Sequence, residues 1–158
     1  MSRTALRIAA VVIVALSALA SPLRAEPRSS ATFDARQIVA LTNESRRRAG
    51  LPPVAVDDKL TAAAKAKLFD MLKRDYFAHR TPDGRQPWAF MQAAGYRFQV
   101  AAENLAKGYD DEPELQEAWM KSRGHRANIL NPLFTEIGVA DANGIVVVMF
   151  GRPAAQRR

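Results

Sequence analysis

Ile137-Gly138-Val139-Ala140-Asp141-Ala142-Asn143-Gly144-Ile145-Val146-Val147-Val148-Met149-Phe150 reads as two strands joined by a two-residue turn. Asn-Gly readily takes the two positive φ angles of a tight hairpin. In the first strand Ile137 and Val139 alternate, which is the period of a half-covered strand. The second is an unbroken, largely β-branched run, which predicts a central strand covered on both faces. Two covered faces need helices on each side, and the preceding sequence supplies them.

The strongest helical pattern follows Asp57 and Asp58, either of which can cap its start. Leu60, Ala64, Leu68, Met71, Leu72 and Tyr76 form one apolar stripe, with Lys59, Lys67, Asp70, Lys73 and Arg74 on the other faces. An earlier helix is expected from Asp34 to about Arg48, with Ile38, Leu41 and Ser45 on one face and Ala49-Gly50 at its end. Leu51-Pro52-Pro53 forbids helix and predicts an extended connection. After the Thr81-Pro82-Asp83-Gly84 turn, a short helix runs from about Gln86 to Ala94 and ends at Gly95. Tyr96, Phe98 and Val100 alternate as a strand. Another helix begins after Asp111 or Glu112, turns Leu115, Ala118, Trp119 and Ser122 inward, and is expected to stop at Gly124. Trp88, Phe90, Met91 and Trp119 read as core. Helices before and between the strands, with a hairpin at the end, indicate an α+β fold.

The first residues read as an address. Arg3 and Arg7 precede the uncharged run Ile8–Ala20, and Pro22 with small residues up to Ala25 offers a cleavage site. That is the layout of a secretory signal peptide, and it leaves no stable membrane span after cleavage. The domain plan is a leader over 1–25, a loose tail over 26–35, one domain over 36–151 and a basic tail over 152–158. Cleavage removes three arginines and no acid, so a formal charge of +7 becomes +4. That balance does not announce a nucleic-acid partner. The dense cluster Arg46-Arg47-Arg48 reads as a solvated helix end, where cations meet the negative end of the dipole. With no cysteine in the chain, disulfides and lipoprotein attachment are excluded. The expected location is a bacterial periplasm or exterior.

The chain has two histidines, His79 and His125, and both stand in short turn-bounded motifs. Glu103 and Glu136 stand in equally distinctive settings. His79 follows the long helix and His125 follows Gly124, positions where a rigid scaffold can present a side chain at a cleft. Two histidines and a carboxylate could form an open zinc site, or a glutamate could fix an imidazole tautomer from behind. Each histidine could equally be a buried hydrogen-bonding tie between loops, and spacing leaves these readings open. Ser122 precedes His125 by three residues, but no nucleophile-elbow pattern surrounds it.

Phe77-Ala78-His79, Glu103-Asn104-Leu105-Ala106, Ala118-Trp119-Met120, Gly124-His125-Arg126-Ala127-Asn128-Ile129-Leu130 and Thr135-Glu136-Ile137-Gly138-Val139 occur in that order. Together they resemble the CAP superfamily of cysteine-rich secretory, antigen 5 and pathogenesis-related 1 proteins, in its bacterial SCP-like branch. The resemblance covers roughly residues 36–151. It implies a three-layer α-β-α sandwich with a small, mostly antiparallel sheet between helices. It also implies secretion and a cleft lined by two histidines and two acids, holding zinc or another divalent metal in some members. His79, Glu103 and His125 match three of those positions, and the two histidines are the metal candidates. Ser122 stands where plant and animal members place the fourth acid, and Glu136 is the substitute. The expected function is binding of a lipid, cell-wall fragment or protein through this cleft rather than turnover. The alternative is a zinc-assisted hydrolase of peptide or cell-wall bonds.

Overall fold

The computed structural model describes residues 32–155. The expected leader over 1–25, the start of the tail and residues 156–158 lie outside the described residues. The elements are α1 (Ala35–Arg48), β1 (Ala55–Val56), α2 (Asp58–Lys73), α3 (Pro87–Ala93), β2 (Phe98–Lys107), α4 (Glu112–Lys121), α5 (Arg123–Ile129), β3 (Glu136–Ala142) and β4 (Ile145–Pro153). The strands form one sheet in the order β1-β3-β4-β2.

The hairpin is as expected. Asn143 and Gly144 have φ of 51° and 69°, and β4 lies between β3 and β2, antiparallel to both. Successive residues of β4 point to opposite faces. Val146, Val148 and Phe150 pack with Ile38, Leu115, Trp119 and Ile129 of α1, α4 and α5. Ile145, Val147 and Met149 pack with Leu60, Leu68 and Met71 of α2 and Phe90 and Met91 of α3. Two cores thus share one strand, giving the three-layer α+β sandwich. Each such side chain contributes roughly 1.5–3 kcal/mol of burial free energy.

Local chemistry places the helices. Asp34 caps α1, Asp57 caps α2 by accepting from the Leu60 amide at 2.9 Å, and Asp111 caps α4. Gly95, at φ 76°, ends α3 in a left-handed turn closed by the Tyr96 amide on the Met91 carbonyl. The Pro52-Pro53 connection becomes strand only beyond the prolines, where β1 pairs in parallel with Glu136 and Ile137 of β3. Asn43 secures that connection by exchanging two hydrogen bonds with the Val54 backbone.

Several expectations are corrected. Arg46 is buried, and its guanidinium donates to the carbonyls of Pro52, Ile129, Asn131 and Phe134 at 2.8–3.0 Å. The inner stripe of α1 is Ile38, Thr42 and Arg46, an i, i+4 series, while Leu41 and Ser45 are half-buried. Lys67 is likewise buried rather than solvated. Gly124 does not stop α4. Ser122 does, in an extended conformation whose amide caps the Ala118 and Trp119 carbonyls, and Gly124 sits in the first turn of α5. Trp88 is 43% exposed because α3 turns Phe90 and Met91 inward instead. Phe33 is buried in the α1-side core, and β4 runs to Pro153.

Gly138 marks where α2 lies directly on β3. A Cβ there would stand 2.1 Å from the Leu60 carbonyl carbon and 2.3 Å from the Thr61 nitrogen, both rigid backbone. Gly138→Ala is therefore expected to destabilise by about 3 kcal/mol or more, the upper end for overpacking. Urea unfolding monitored by far-UV circular dichroism checks it.

Candidate functional site

Strand β2 is an edge strand, and its successive residues build the site from two sides. Glu103 shares the face of Leu105, toward α2, whereas Asn104 points toward α5. From the α2 side, the chain leaves the helix through Asp75, a non-glycine residue at φ 50°, and the Tyr76 amide closes on the Met71 carbonyl. This turn folds residues 76–79 back along the helix. There the Lys67 ammonium donates to the Tyr76 hydroxyl at 3.1 Å and to the Ala78 and His79 carbonyls at 2.8 and 2.9 Å. The imidazole of His79 thereby reaches Glu103, with Nδ1 to Oε1 at 2.8 Å. The side chain of His79 is 56% exposed and that of Glu103 only 2%.

From the other side, α5 docks on β2 through amides. Asn104 donates to the His125 carbonyl at 3.2 Å, and Asn128 donates to the Asn104 side chain at 2.8 Å and to the Glu103 carbonyl at 3.3 Å. The Trp119 indole donates to the Leu105 carbonyl at 3.2 Å, and its ring lies 6.3 Å from the half-buried His125 ring. His79, Glu103 and His125 are thus brought around one short stretch of β2. Glu136 is not. It stands on the same sheet face as Glu103 but two strands away, roughly 10 Å across the sheet. Its carboxylate accepts from the Tyr96 hydroxyl at 2.5 Å, in a separate groove of about 560 Å³ lined also by Asp57, Lys59 and Arg97.

Burial dominates the electrostatics. It raises the Glu103 carboxyl above its usual range, opposed by the His79 hydrogen bond and the nearby Lys67 cation. It lowers the Lys67 ammonium, opposed mainly by Glu103. It also lowers the His125 imidazole, and the charge of His79 adds to that effect. Oε2 of Glu103 is buried with no hydrogen-bond partner among the described residues.

The metal expectation is tested on the donor set. An open zinc site takes three protein ligands, and among the described residues no three histidine, cysteine, aspartate or glutamate side chains converge. Glu136 is held by Tyr96 and one oxygen of Glu103 by His79, so these residues do not fit that geometry. Ser122 makes no hydrogen bond to His125; its carbonyl accepts from the Arg126 amide and its own amide caps α4.

Sequence reasoning missed Lys67, Asn104 and Asn128 as builders of the site. Position 67 lies three after Ala64 and four before Met71, inside the apolar stripe, and only its charge hid it. Asn104 lies in a strand, where asparagine is disfavoured unless its amide is used.

The family model described as "Cysteine-rich secretory protein family" matches residues 39–146. The protein YkwD of Bacillus subtilis is 43% identical over 113 residues, covering 72% of this chain and 44% of its own length. The membrane protein YlbC of the same organism is 33% identical over 108 residues, covering 68% of this chain and 31% of its own. This chain therefore spans less than half the length of the curated relatives it matches. An extracellular protein containing a SCP domain from Bacillus anthracis superposes with a TM-score of 0.71 at 34% identity, over 74% of this chain and 39% of that one. An outer surface protein from Borrelia burgdorferi shares the fold at 23% identity, with a TM-score of 0.70 over 75% of this chain and 92% of that one.

The direction of the His125 shift fixes a pH dependence. Its pKa is lower folded than unfolded, so the unfolded chain takes up the proton first as pH falls below about 6.5. The contribution is present above that value and is lost as pH falls through the lowered folded pKa. His125→Gln is expected to flatten the fall in unfolding free energy between about pH 7 and 5, checked by urea unfolding at each pH.

Proposed function

The chain belongs to the cysteine-rich secretory protein family, and from that premise we propose that it works mainly by binding, through the cleft formed by His79, Glu103 and His125. The observation that carries this reading is Glu103, a buried carboxylate with one oxygen fixed to an exposed histidine and the other without a partner among the described residues. A buried polar atom left open is costly to a fold that makes no use of it. No serine or threonine is hydrogen-bonded to either histidine side chain among the described residues, which supports binding over nucleophilic catalysis. The ligand in this reading is a cell-wall fragment, lipid or protein met outside the cytoplasm.

Secretion or a periplasmic location rests on the leader-like first 25 residues and on the extracellular and outer-surface descriptions of the structural relatives. No helix among the described residues is long and apolar enough to cross a membrane. The alternative of a zinc-assisted hydrolase lacks a converging three-ligand set, and no step is assigned to a metal.

Nuclear magnetic resonance titration of the labelled chain tests the binding reading with two probes, soluble muropeptides and a short-chain phospholipid. One of them is expected to move the His79, Glu103 and His125 signals saturably, and His79→Ala/His125→Ala is expected to abolish that response. Turnover of a peptide or wall substrate that disappears in the same double variant would overturn the reading in favour of hydrolysis.

A further inference from the structure

Lys67 occupies a position that an aliphatic side chain would suit, on the inner stripe of α2 between Ala64 and Met71. Burying a cation there costs several kcal/mol unless its protons are all engaged. They are. An ammonium has three donors, and the three oxygens it meets all belong to residues 76–79. The Tyr76 and Phe90 rings cover it, with centroids at 4.8 and 5.5 Å. Two of the three oxygens are the carbonyls of Ala78 and His79, so the contact fixes the backbone that carries the imidazole. No carboxylate lies within 4.0 Å of this cation among the described residues, and Glu103 feels it through space.

The consequence concerns which nitrogen of His79 carries the proton. An ionised Glu103 has acceptors only, so its 2.8 Å contact requires a proton on Nδ1 of His79. A neutral imidazole then has no proton on Nε2. Nδ1 faces the buried acid, so the exposed part of the ring is the far edge that bears Nε2.

We propose that Lys67 is the positioning residue of the cleft: it anchors the backbone of His79 and balances an ionised Glu103, so that His79 holds its proton on Nδ1 and presents Nε2 outward as an acceptor. The exposed acceptor is then Nε2 of His79, with the buried carboxylate of Glu103 behind it. The ligand chemistry that meets it is a neutral hydrogen-bond donor, such as the hydroxyl groups of a wall fragment, and not an anion. This inference rests on the reading of His79 and Glu103 as one cleft.

The test is the histidine side-chain nitrogen spectrum of the unliganded chain at about pH 8, where unperturbed imidazole is neutral. Wild type is expected to show His79 with a protonated Nδ1 and a bare Nε2. Lys67→Met, similar in length and uncharged, is expected to invert that ratio while the amide spectrum stays dispersed. Lys67→Arg, which keeps the charge, is expected to restore it. If Lys67→Met does not fold, Lys67→Gln carries the same comparison. A wild-type His79 protonated mainly on Nε2 would refute an ionised Glu103 and with it this proposal, while the muropeptide and phospholipid titration reports separately on the cleft. An Nδ1-protonated His79 that persists in the uncharged variants would refute the role of Lys67 alone.

Discussion

An edge strand must find partners for the carbonyls on its open side, and in β2 that requirement organises the α4–α5 side of the candidate site. The Glu103 carbonyl is taken by Asn128 and that of Leu105 by Trp119. Both donors come from the α4–α5 pair, so satisfying the edge also docks that pair and brings His125 beside the strand. The alternation of side chains along β2 does the rest. Glu103 faces one layer and Asn104 the other, which is how two histidines 46 residues apart reach the same stretch of chain.

Two buried cations hold the loops of a chain that has no cysteine. Arg46 binds four carbonyls spread from Pro52 to Phe134, tying α1 to the segment after α5. Hydrogen bonds to a charged group are worth about 1.5–3 kcal/mol each, so four together can exceed the several kcal/mol that desolvation costs. Lys67 does the same over a shorter span, with three oxygens of residues 76–79. All four acceptors of Arg46 and two of the three of Lys67 are backbone carbonyls, which do not titrate; the third acceptor of Lys67 is the Tyr76 hydroxyl. These two ties therefore do not depend on protonating a carboxylate partner.

The fold was legible where periodicity and turn chemistry act locally. The Asn143-Gly144 hairpin, the two-faced β4 run and the capped α2 all follow from residues adjacent in sequence. What escaped was set by tertiary demand. Arg46 and Lys67 carry charge and so read as surface, yet each occupies an inner helical position because distant carbonyls await its protons. Trp88 reads as core by its type, but a short helix offers one inward face and Phe90 and Met91 fill it. In the candidate site, His79, Glu103 and His125 stood out because each sits in a distinctive motif. The separation of Glu136 was invisible, since it follows from strand order and register, which set β4 between Glu136 and β2.

The strand order carries a consequence for how this chain is made. β4 is last in sequence yet central in the sheet: β2 pairs with it alone, and β1 pairs only with β3. While the chain grows from its N-terminus, β2 waits nearly forty residues for its partner, and neither core has a wall to pack against. Closure of the sheet therefore waits for β4, the last of the described strands to emerge, whichever helices form before it.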